Sequence, residues 1–320
     1  MFAIQVTQHG GPEVLEYVET HAPTPTPDQV LVDVEVAGVN YIDTYYREGA
    51  YPAATPFILG QEGTGRVAHD PQGKIAPGTK VAWDSAMGSY AQQVCVARDR
   101  LVAVPDEIDS DVAASMLLQG ITAHYLTHGV YQLGEGASCL ITAGAGGVGL
   151  VATQMAKNLG ATVYTVVSSE EKEALSYEAG ADHVFRYGDD LAQRVRSHNQ
   201  GRGVDVVYDG VGKDTFTQSL QVVRSRGTVC LFGAASGPVA PVDPQLLNQH
   251  GSLFLTRPSI GAWTSQEGEF EMRAQAVVQA VAEGKLRLRI GKHYQLADAA
   301  QAHRDLQARA TTGSIVLRVQ

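Results

Sequence analysis

A glycine-rich turn lies in the middle of the chain, directly after an apolar run. Gly144, Gly146 and Gly149 have the spacing G-x-G-x-x-G, and a helical pattern follows over residues 150–159. The first glycine permits a tight bend, the second lets the backbone approach a pyrophosphate, and the third allows close helix–strand packing. The motif alone is weak, but a strand-like run over residues 161–167 adds the βαβ context. The sequence therefore predicts a dinucleotide-binding turn made of Gly144, Ala145, Gly146, Gly147, Val148 and Gly149.

The end of that second strand indicates which dinucleotide binds. An NAD site normally carries Asp or Glu there to hold the ribose 2′-hydroxyl, but here Ser168 follows the strand. We expect Ser168, Lys172 and Tyr187 to bind a 2′-phosphate, which predicts NADPH as the cofactor. Two neighbouring carboxylates weigh against this prediction, because Glu170 and Glu171 would repel a phosphate. A purely structural alternative has Ser168 capping a helix and Lys172 as a solvated charge.

The composition fits a single-chain enzyme. At 320 residues the chain is long enough for two domains. The net charge of −10 argues against nucleic acid or an anionic membrane as the main partner, and no apolar run approaches the length of a membrane span. Three cysteines lie far apart in the sequence, which favours a reducing, cytoplasmic compartment.

The pattern of predicted strands and helices changes near residue 120. Short apolar or alternating runs punctuated by Gly and Pro come first, and they predict a β-rich domain with strands at 29–36, 65–68, 80–83, 89–96 and 101–104. Helices and strands then alternate, which predicts an α/β, doubly wound parallel sheet with strands at 137–142, 162–167, 183–185, 204–209, 228–233 and 252–256. A helix at 268–283, a helix at 296–309 and a strand at 314–319 close the chain. We expect residues 1–120 and 263–320 to form one domain and residues 121–262 the other.

Several motifs together carry a family resemblance that runs nearly end to end. They are HGGPEVL (9–15), GVNYIDTY (38–45), GQEG (60–63), QGITA (119–123), AGAGGVG (143–149), VYDGVG (207–212), LFG (231–233), GSLFLTRPS (251–259) and RATTGS (309–314). The chain resembles the zinc-independent quinone oxidoreductases of the medium-chain dehydrogenase/reductase superfamily, the group that includes zeta-crystallin. The resemblance implies a GroES-like catalytic domain, a Rossmann domain that binds NADPH, and an active site in the cleft between them.

The resemblance also implies that the catalytic metal is missing. In the zinc alcohol dehydrogenases of the superfamily a Cys and a His bind the metal at positions that align with Asn40 and Gln61. Neither amide is a usual zinc ligand, and we expect none of the ten histidines to fall in the HxxxH or His/Cys spacing of a metal site. Without a Lewis acid, the acceptor must take a hydride unaided. A quinone fits best because aromatisation drives its reduction, and activated enones or enals are the alternative.

The resemblance assigns the remaining site residues. We expect Asn40, Tyr45, Tyr51 and Gln61 to form the wall and donors of the substrate pocket. Their alternatives are a loop-capping amide for Asn40 and ordinary aromatic packing for the two tyrosines. The residues carried over as cofactor contacts are Thr122, Gly210, Phe232, Gly233 and Ser236. Gly210 replaces a Ser that some relatives have, which removes one hydrogen bond to the cofactor.

Two further expectations concern partners. Some relatives are abundant structural or RNA-binding proteins that retain the NADPH site, but this acidic chain has no basic or aromatic-rich stretch in support of that role. The apolar run 252–256 would be an outer strand of the Rossmann sheet. Because an exposed edge of that kind needs a partner, and because such edges pair in relatives, we expect a homodimer through this strand.

Overall fold

The computed structural model describes residues 1–188 and 190–319. The chain forms two compact units. The first contains residues 1–121 and 266–320, and the second contains residues 122–265. Within the described ranges, no helix has the length and apolar composition that crossing a membrane requires.

The N-terminal part of the first unit is mainly β-structure. Its elements are β1 (Phe2–Val6), β2 (Leu15–Glu19), β3 (Gln29–Val39), α1 (Tyr41–Glu48), β4 (Phe57–Ile58), β5 (Glu62–His69), β6 (Lys80–Trp83), β7 (Gln93–Ala97), β8 (Leu101–Ala103) and α2 (Ser110–Tyr125), the last of which runs into the second unit. In β3 the valines at alternate positions, Val30, Val32 and Val34, are all buried, as the two-residue period of a strand with one core face requires. They pack with Trp83 and Tyr90 in the core of this unit.

The second unit alternates strands and helices. Its elements are β9 (Ser138–Thr142), α3 (Gly147–Asn158), β10 (Thr162–Val167), α4 (Glu170–Glu178), β11 (His183–Arg186), α5 (Leu191–His198), β12 (Val204–Asp209), α6 (Phe216–Val222), β13 (Val223–Leu231), α7 (Pro244–Gln249) and β14 (Phe254–Thr256). The strand order is β11-β10-β9-β12-β13-β14, and all pairs are parallel. The chain changes direction across the sheet between β9 and β12, and the carboxyl ends of strands at such a switch point are where ligands bind.

The C-terminal segment completes the first unit. Its elements are α8 (Glu269–Ala282), β15 (Ile290–Gln295), α9 (Ala299–Gln307) and β16 (Ser314–Arg318). β16 pairs antiparallel with β3, which gives a seven-stranded sheet of order β15-β16-β3-β5-β6-β8 with β7 also paired to β3. A smaller sheet has the order β2-β1-β4. Short helical turns complete the description: 3-10 turns at Pro12–Val14, Arg98–Arg100, Ala262–Thr264 and Leu296–Asp298, and a π-helical turn at Leu126–Val130.

Several predicted elements differ in their bounds from those observed, and three of them are described here. The strand predicted at 89–96 begins only at Gln93, because Tyr90 donates its N–H to Leu59 and is held in a loop. The helix predicted at 296–309 starts as a 3-10 turn. The outer strand predicted at 252–256 is only Phe254–Thr256. Leu253 lies outside the ladder because its N–H donates to the carbonyl of Leu247.

Candidate functional site

The glycine turn joins β9 to α3 in the second unit. The Gly144 N–H donates to the Val166 carbonyl and the Gly146 N–H to the Ala143 carbonyl, which closes the bend. Gly146 is the N-cap residue of α3, and no side chain caps the helix there. Because the first N–H groups of a helix have no intrahelical partner, this terminus offers donors and a positive dipole end to an anion.

Close packing explains two of the three motif glycines. A Cβ on Gly144 would lie 2.6 Å from the Cβ of Thr165, and one on Gly149 would lie 2.4 Å from the Ala143 carbonyl oxygen. A Cβ on Gly146 would meet only that same carbonyl oxygen, at 3.2 Å, and is otherwise open. The outer glycines therefore serve the turn itself, and the middle one leaves space above the helix terminus. The residues present fit a dinucleotide pyrophosphate.

The switch point is organised by Asp209, a buried carboxylate at the end of β12. Its Oδ1 accepts from the Thr142 hydroxyl (3.1 Å) and from the N–H groups of Val211 (2.9 Å) and Gly212 (3.1 Å). The hydroxyls of Thr215 and Ser219 also donate to this carboxylate, at 2.7–2.8 Å. Sequence reasoning did not assign Asp209 a role. Its signal was present, because an Asp that ends a parallel strand before Gly-x-Gly is placed to hold the loop N–H groups.

The loop after β13 packs on the loop after β12. The N–H groups of Phe232 and Gly233 both donate to the Asp209 carbonyl. A Cβ on Gly233 would lie 2.5 Å from the Gly210 carbonyl oxygen, and one on Gly210 would lie 2.7 Å from the Phe232 ring. Gly210 therefore leaves room for that ring, which is a structural reason for the absence of a Ser. The Ser236 hydroxyl donates to the Val211 carbonyl at 2.8 Å and accepts from the Asp214 N–H at 3.0 Å, so its oxygen can accept one further hydrogen bond.

Of the three residues predicted to bind the 2′-phosphate, Ser168 and Tyr187 directly follow β10 and β11, and Lys172 lies in the first turn of α4. The Lys172 ammonium donates to the Ser168 hydroxyl at 3.3 Å, and Ser168 is exposed. The helix is capped by Ser169, whose hydroxyl accepts from the Lys172 N–H, so Ser168 is not the cap. The Tyr187 hydroxyl accepts from the Ala143 N–H at 3.0 Å. The structure thus places Tyr187 against the glycine turn and joins Ser168 and Lys172 by a hydrogen bond.

Thr122, predicted as a further cofactor contact, lies within α2 and is buried.

The four predicted substrate residues lie in the first unit, around α1. Asn40 is the N-cap residue of α1, and its Nδ2 donates to Glu62 at 2.8 Å. The rings of Tyr45 and Tyr51 are 5.4 Å apart and tilted by 55°, and the Tyr51 N–H donates to the Tyr45 carbonyl. Gln61 is buried, with its Nε2 3.3 Å from the Met87 sulfur. The structure therefore brings the two tyrosines together and fixes both amides by contacts of their own.

Three buried carboxyls lie beside these residues. Burial is the main cause that raises the pKa of Asp43 to about 7, that of Glu62 to about 8 and that of Asp84 to about 6. Hydrogen bonds from Leu118 and Asn40 lower the pKa of Glu62, whereas the negative charges of Asp84 and Asp43 raise it further. Sequence reasoning missed this group because the three residues belong to three different elements.

A chain of hydrogen bonds ties α1 to α9. An Arg47 Nη1 lies 2.9 Å from Nδ1 of His303, and because arginine only donates, Nδ1 is an acceptor. The other ring nitrogen of His303 therefore carries the proton and faces the Tyr90 hydroxyl at 3.3 Å. That hydroxyl donates to Asp43 at 2.9 Å. Burial and the Arg47 charge lower the pKa of His303 to about 3, so the ring is neutral and the chain holds α1 in place.

The residues at the zinc positions do not fit a zinc ion. The Asn40 nitrogen faces the Glu62 carboxylate and the Gln61 nitrogen faces a thioether, and neither amide is a usual zinc ligand. The expectation that no histidines have HxxxH spacing is wrong, because His124 and His128 are four residues apart. Their rings stack at 4.2 Å. Across residues 1–188 and 190–319, no three His, Cys, Asp or Glu side chains are grouped as a metal ion requires.

Family models match both parts of the chain. An alcohol dehydrogenase GroES-like domain matches residues 26–106, and a zinc-binding dehydrogenase domain matches residues 147–283. A GroES-like β-rich domain followed by a Rossmann-type parallel sheet is the architecture of the medium-chain dehydrogenases/reductases.

Relatives that match this chain over their full length identify the family within this class. A quinone oxidoreductase of Pseudomonas aeruginosa is 41% identical, with 98% of each chain covered. A mycobacterial protein solved in complex with NADPH is 47% identical, with 100% of each chain covered and a TM-score of 0.96. A 2-haloacrylate reductase of a Burkholderia species is 35% identical over 100% of this chain and 99% of its own. The chain belongs to the quinone oxidoreductase family of the medium-chain dehydrogenases/reductases.

Proposed function

We propose that the protein transfers a hydride from NADPH to a quinone. The observation that carries the proposal is the second unit's uncapped α3 N-terminus beside an exposed Ser168–Lys172 pair. The first feature suits a pyrophosphate, and the second suits a phosphate on the ribose rather than a free 2′-hydroxyl. Relatives named quinone oxidoreductase and a relative solved with NADPH support the same conclusion.

We assign the cofactor contacts as follows. The turn from Gly144 to Gly149, which includes Ala145, Gly147 and Val148, binds the pyrophosphate. Ser168 and Lys172 bind the 2′-phosphate, and the Tyr187 hydroxyl, which accepts from the Ala143 N–H, lies beside the glycine turn and contributes to the same site. Ser236 uses its remaining acceptor position for a cofactor hydroxyl, since its proton is donated to Val211 and its oxygen already accepts from Asp214. Thr122, Gly210, Phe232 and Gly233 complete the contacts. When bound, NADPH supplies the hydride.

The substrate side of the proposal rests on the first unit. Asn40, Tyr45, Tyr51 and Gln61 surround the quinone, orient it and exclude water, which lowers the barrier through proximity. A quinone needs no Lewis acid, because it becomes an aromatic hydroquinone on reduction. The resulting anion takes its proton from water, so the proposal requires no dedicated acid.

An activated alkene is the second candidate substrate. The observation in its favour is the 2-haloacrylate reductase relative, since a haloacrylate is an alkene polarised by a carboxylate. An enone or enal differs from a quinone in that its product must be protonated at carbon, which calls for an acid. The net charge of −10 gives no support to an RNA-binding role.

We also propose a cytoplasmic homodimer. The three cysteines are free thiols, as expected in a reducing compartment. The edge strand β14 pairs on one side with β13, and its Phe254 is 65% exposed. Pairing of this edge with a second copy would cover it. The domain limits that we propose, 1–120 with 263–320 and 121–262, differ from the limits of the two compact units by one residue and by three residues.

The experiment is a steady-state comparison of cofactors and acceptors. Consumption of NADPH and of NADH is followed with ortho- and para-quinones and with simple enones of similar size. The proposal expects turnover with quinones and NADPH, and much slower turnover with NADH. Equal use of both cofactors would contradict the 2′-phosphate assignment, and faster turnover of enones would move the alkene substrate ahead.

A further inference from the structure

Glu62 holds the side chain of Asn40 from the protein side. Glu62 is fully buried at the start of β5. Its Oε1 accepts from the Leu118 N–H at 2.8 Å, and its Oε2 accepts from Asn40 Nδ2 at 2.8 Å. A Cβ added to Gly38 would lie 2.7 Å from the same Oε2, so the carboxyl is packed on that side as well. Glu62 therefore has little freedom to turn away from either partner.

Two contacts set the orientation of the Asn40 amide: its nitrogen donates to Glu62, and its oxygen faces the Asp43 N–H in the capping box of α1. An amide has a donor end and an acceptor end, whereas a carboxylate only accepts. When both Glu62 oxygens accept, the Asn40 nitrogen must face Glu62. Protonation of Glu62 on the oxygen that faces Asn40 turns that oxygen into a hydrogen-bond donor, while the other oxygen still accepts from Leu118. Replacement of Glu62 by glutamine has the same effect. The Asn40 oxygen then turns to this donor, and the amide reverses at the expense of its capping contact with the Asp43 N–H.

We infer that Glu62 is a positioning residue for quinone binding, because it selects which end of the Asn40 amide is turned to the substrate. The inference rests on the proposed function, in which Asn40 lines the quinone pocket. The orientation in the structure, with Nδ2 on Glu62, is the productive one. Reversal of the amide exchanges its donor and acceptor ends and so misplaces the hydrogen bond that Asn40 makes to the substrate.

The charged and titratable groups around Glu62 make the selection sensitive to pH. Those that face it are Asp43 on α1, Asp84 after β6 and the Tyr90 hydroxyl, and the two carboxyls disfavour a second negative charge. Burial and these neighbours raise the pKa of Glu62 to about 8. Above that pH the carboxylate holds the productive orientation, and below it the protonated carboxyl reverses the amide.

The test is a double-mutant cycle on Glu62→Gln and Asn40→Ala, assayed on both sides of the Glu62 pKa of about 8. The acceptor is tetramethyl-para-benzoquinone with saturating NADPH. A glutamine keeps an oxygen for Leu118 and presents an N–H to Asn40, so it imitates the protonated glutamate. At about pH 9 we expect Glu62→Gln to raise KM roughly tenfold, the value of one hydrogen bond, with a smaller change in kcat. At about pH 6 we expect it to match the wild type.

The cycle separates positioning from mere structure. In the Asn40→Ala background, Glu62→Gln should have no effect at either pH. Asp84→Asn is the matched control, since it removes a neighbouring buried carboxyl. This variant should keep the pH dependence of KM but shift it to lower pH. The loss of the negative charge of Asp84 removes one cause that raises the pKa of Glu62. Melting temperature and NADPH affinity of each variant check the fold.

Several outcomes would overturn the inference. One is an equal effect of Glu62→Gln with and without Asn40, and another is no effect at about pH 9. If Glu62→Gln does not fold, the wild type and Asn40→Ala still decide, because the pH dependence of KM must vanish in Asn40→Ala. A wild type that fails to reduce the quinone with NADPH would contradict the proposed function itself, whereas turnover without this coupling contradicts the positioning role alone.

Discussion

The third glycine of the turn offers a sharp test of the cofactor site. A Cβ on Gly149 would lie 2.4 Å from the Ala143 carbonyl oxygen and 3.0 Å from backbone atoms of Gly144. Ordinary contacts are about 3.5 Å, so in Gly149→Ala the turn must move by roughly 1 Å. Overpacking of this kind costs about 1–3 kcal/mol, and that cost falls on the turn that we propose as the pyrophosphate site. We expect the dissociation constant for NADPH to rise by about tenfold to a hundredfold.

The assay is a fluorescence titration of the protein with NADPH. Gly134→Ala is the matched control: it is the same substitution in the same unit, and its Cβ would have no atom within 4 Å. The control should bind NADPH as the wild type does. If Gly149→Ala folds and binds NADPH within about twofold of the wild type, well under the tenfold that 1.4 kcal/mol implies, the turn does not bind the pyrophosphate.

Four further predictions concern the cofactor, the chemistry, the metal and the assembly. Lys172→Ala should raise the dissociation constant for NADPH by about tenfold or more, since a charge-assisted contact contributes about 1.5–3 kcal/mol; an equal loss for NADH by titration would refute this assignment. Tyr51→Phe and Asn40→Ala should each lower kcat/KM by about tenfold to a hundredfold. A loss beyond about a thousandfold, together with disappearance of a steep limb in the pH–rate profile of the wild type, would identify an acid catalyst and favour an enone substrate. Elemental analysis should find no stoichiometric zinc and chelation should leave quinone reduction unchanged, whereas one zinc per chain with activity lost on its removal would defeat the metal-free mechanism. Light scattering should find a dimer that Phe254→Glu dissociates, because a charge on the exposed edge opposes pairing; a wild type that is only monomeric at micromolar concentration would contradict this.

The parallel sheet was the most predictable part of the molecule. Strands buried on both faces form continuous apolar runs, and the predicted bounds at 162–167 and 204–209 coincide with β10 and β12. The outer strand was less predictable. Leu253 is apolar and buried, yet its N–H bonds to a helix carbonyl, so burial there does not mark the start of the strand. Hydrophobicity predicts burial, but the backbone partner decides where a ladder begins.

Only those parts of the candidate site that consist of residues close together in the sequence were predictable. The glycine turn and the Ser168–Lys172 pair fall within short motifs. The chain from Arg47 to His303 joins residues 256 positions apart, and nothing in the local sequence of either residue indicates that contact. Glu62 shows the same limit, because the role that we infer for it depends on Leu118 in α2 and on Asn40 at the start of α1. Long-range polar contacts between buried groups arise from the fold, not from residue spacing.

The most direct test of the central claim is the dependence of kcat/KM on the acceptor, measured with NADPH for a series of para-quinones of graded reduction potential and for enones of similar size. Hydride transfer without a metal or a dedicated acid predicts that kcat/KM rises steadily with the potential of the quinone. It also predicts that the enones react at least about a hundredfold more slowly, since general acid catalysis typically contributes 10²–10⁴-fold. A rate independent of the quinone potential, or enones reduced as fast as quinones, would contradict the account.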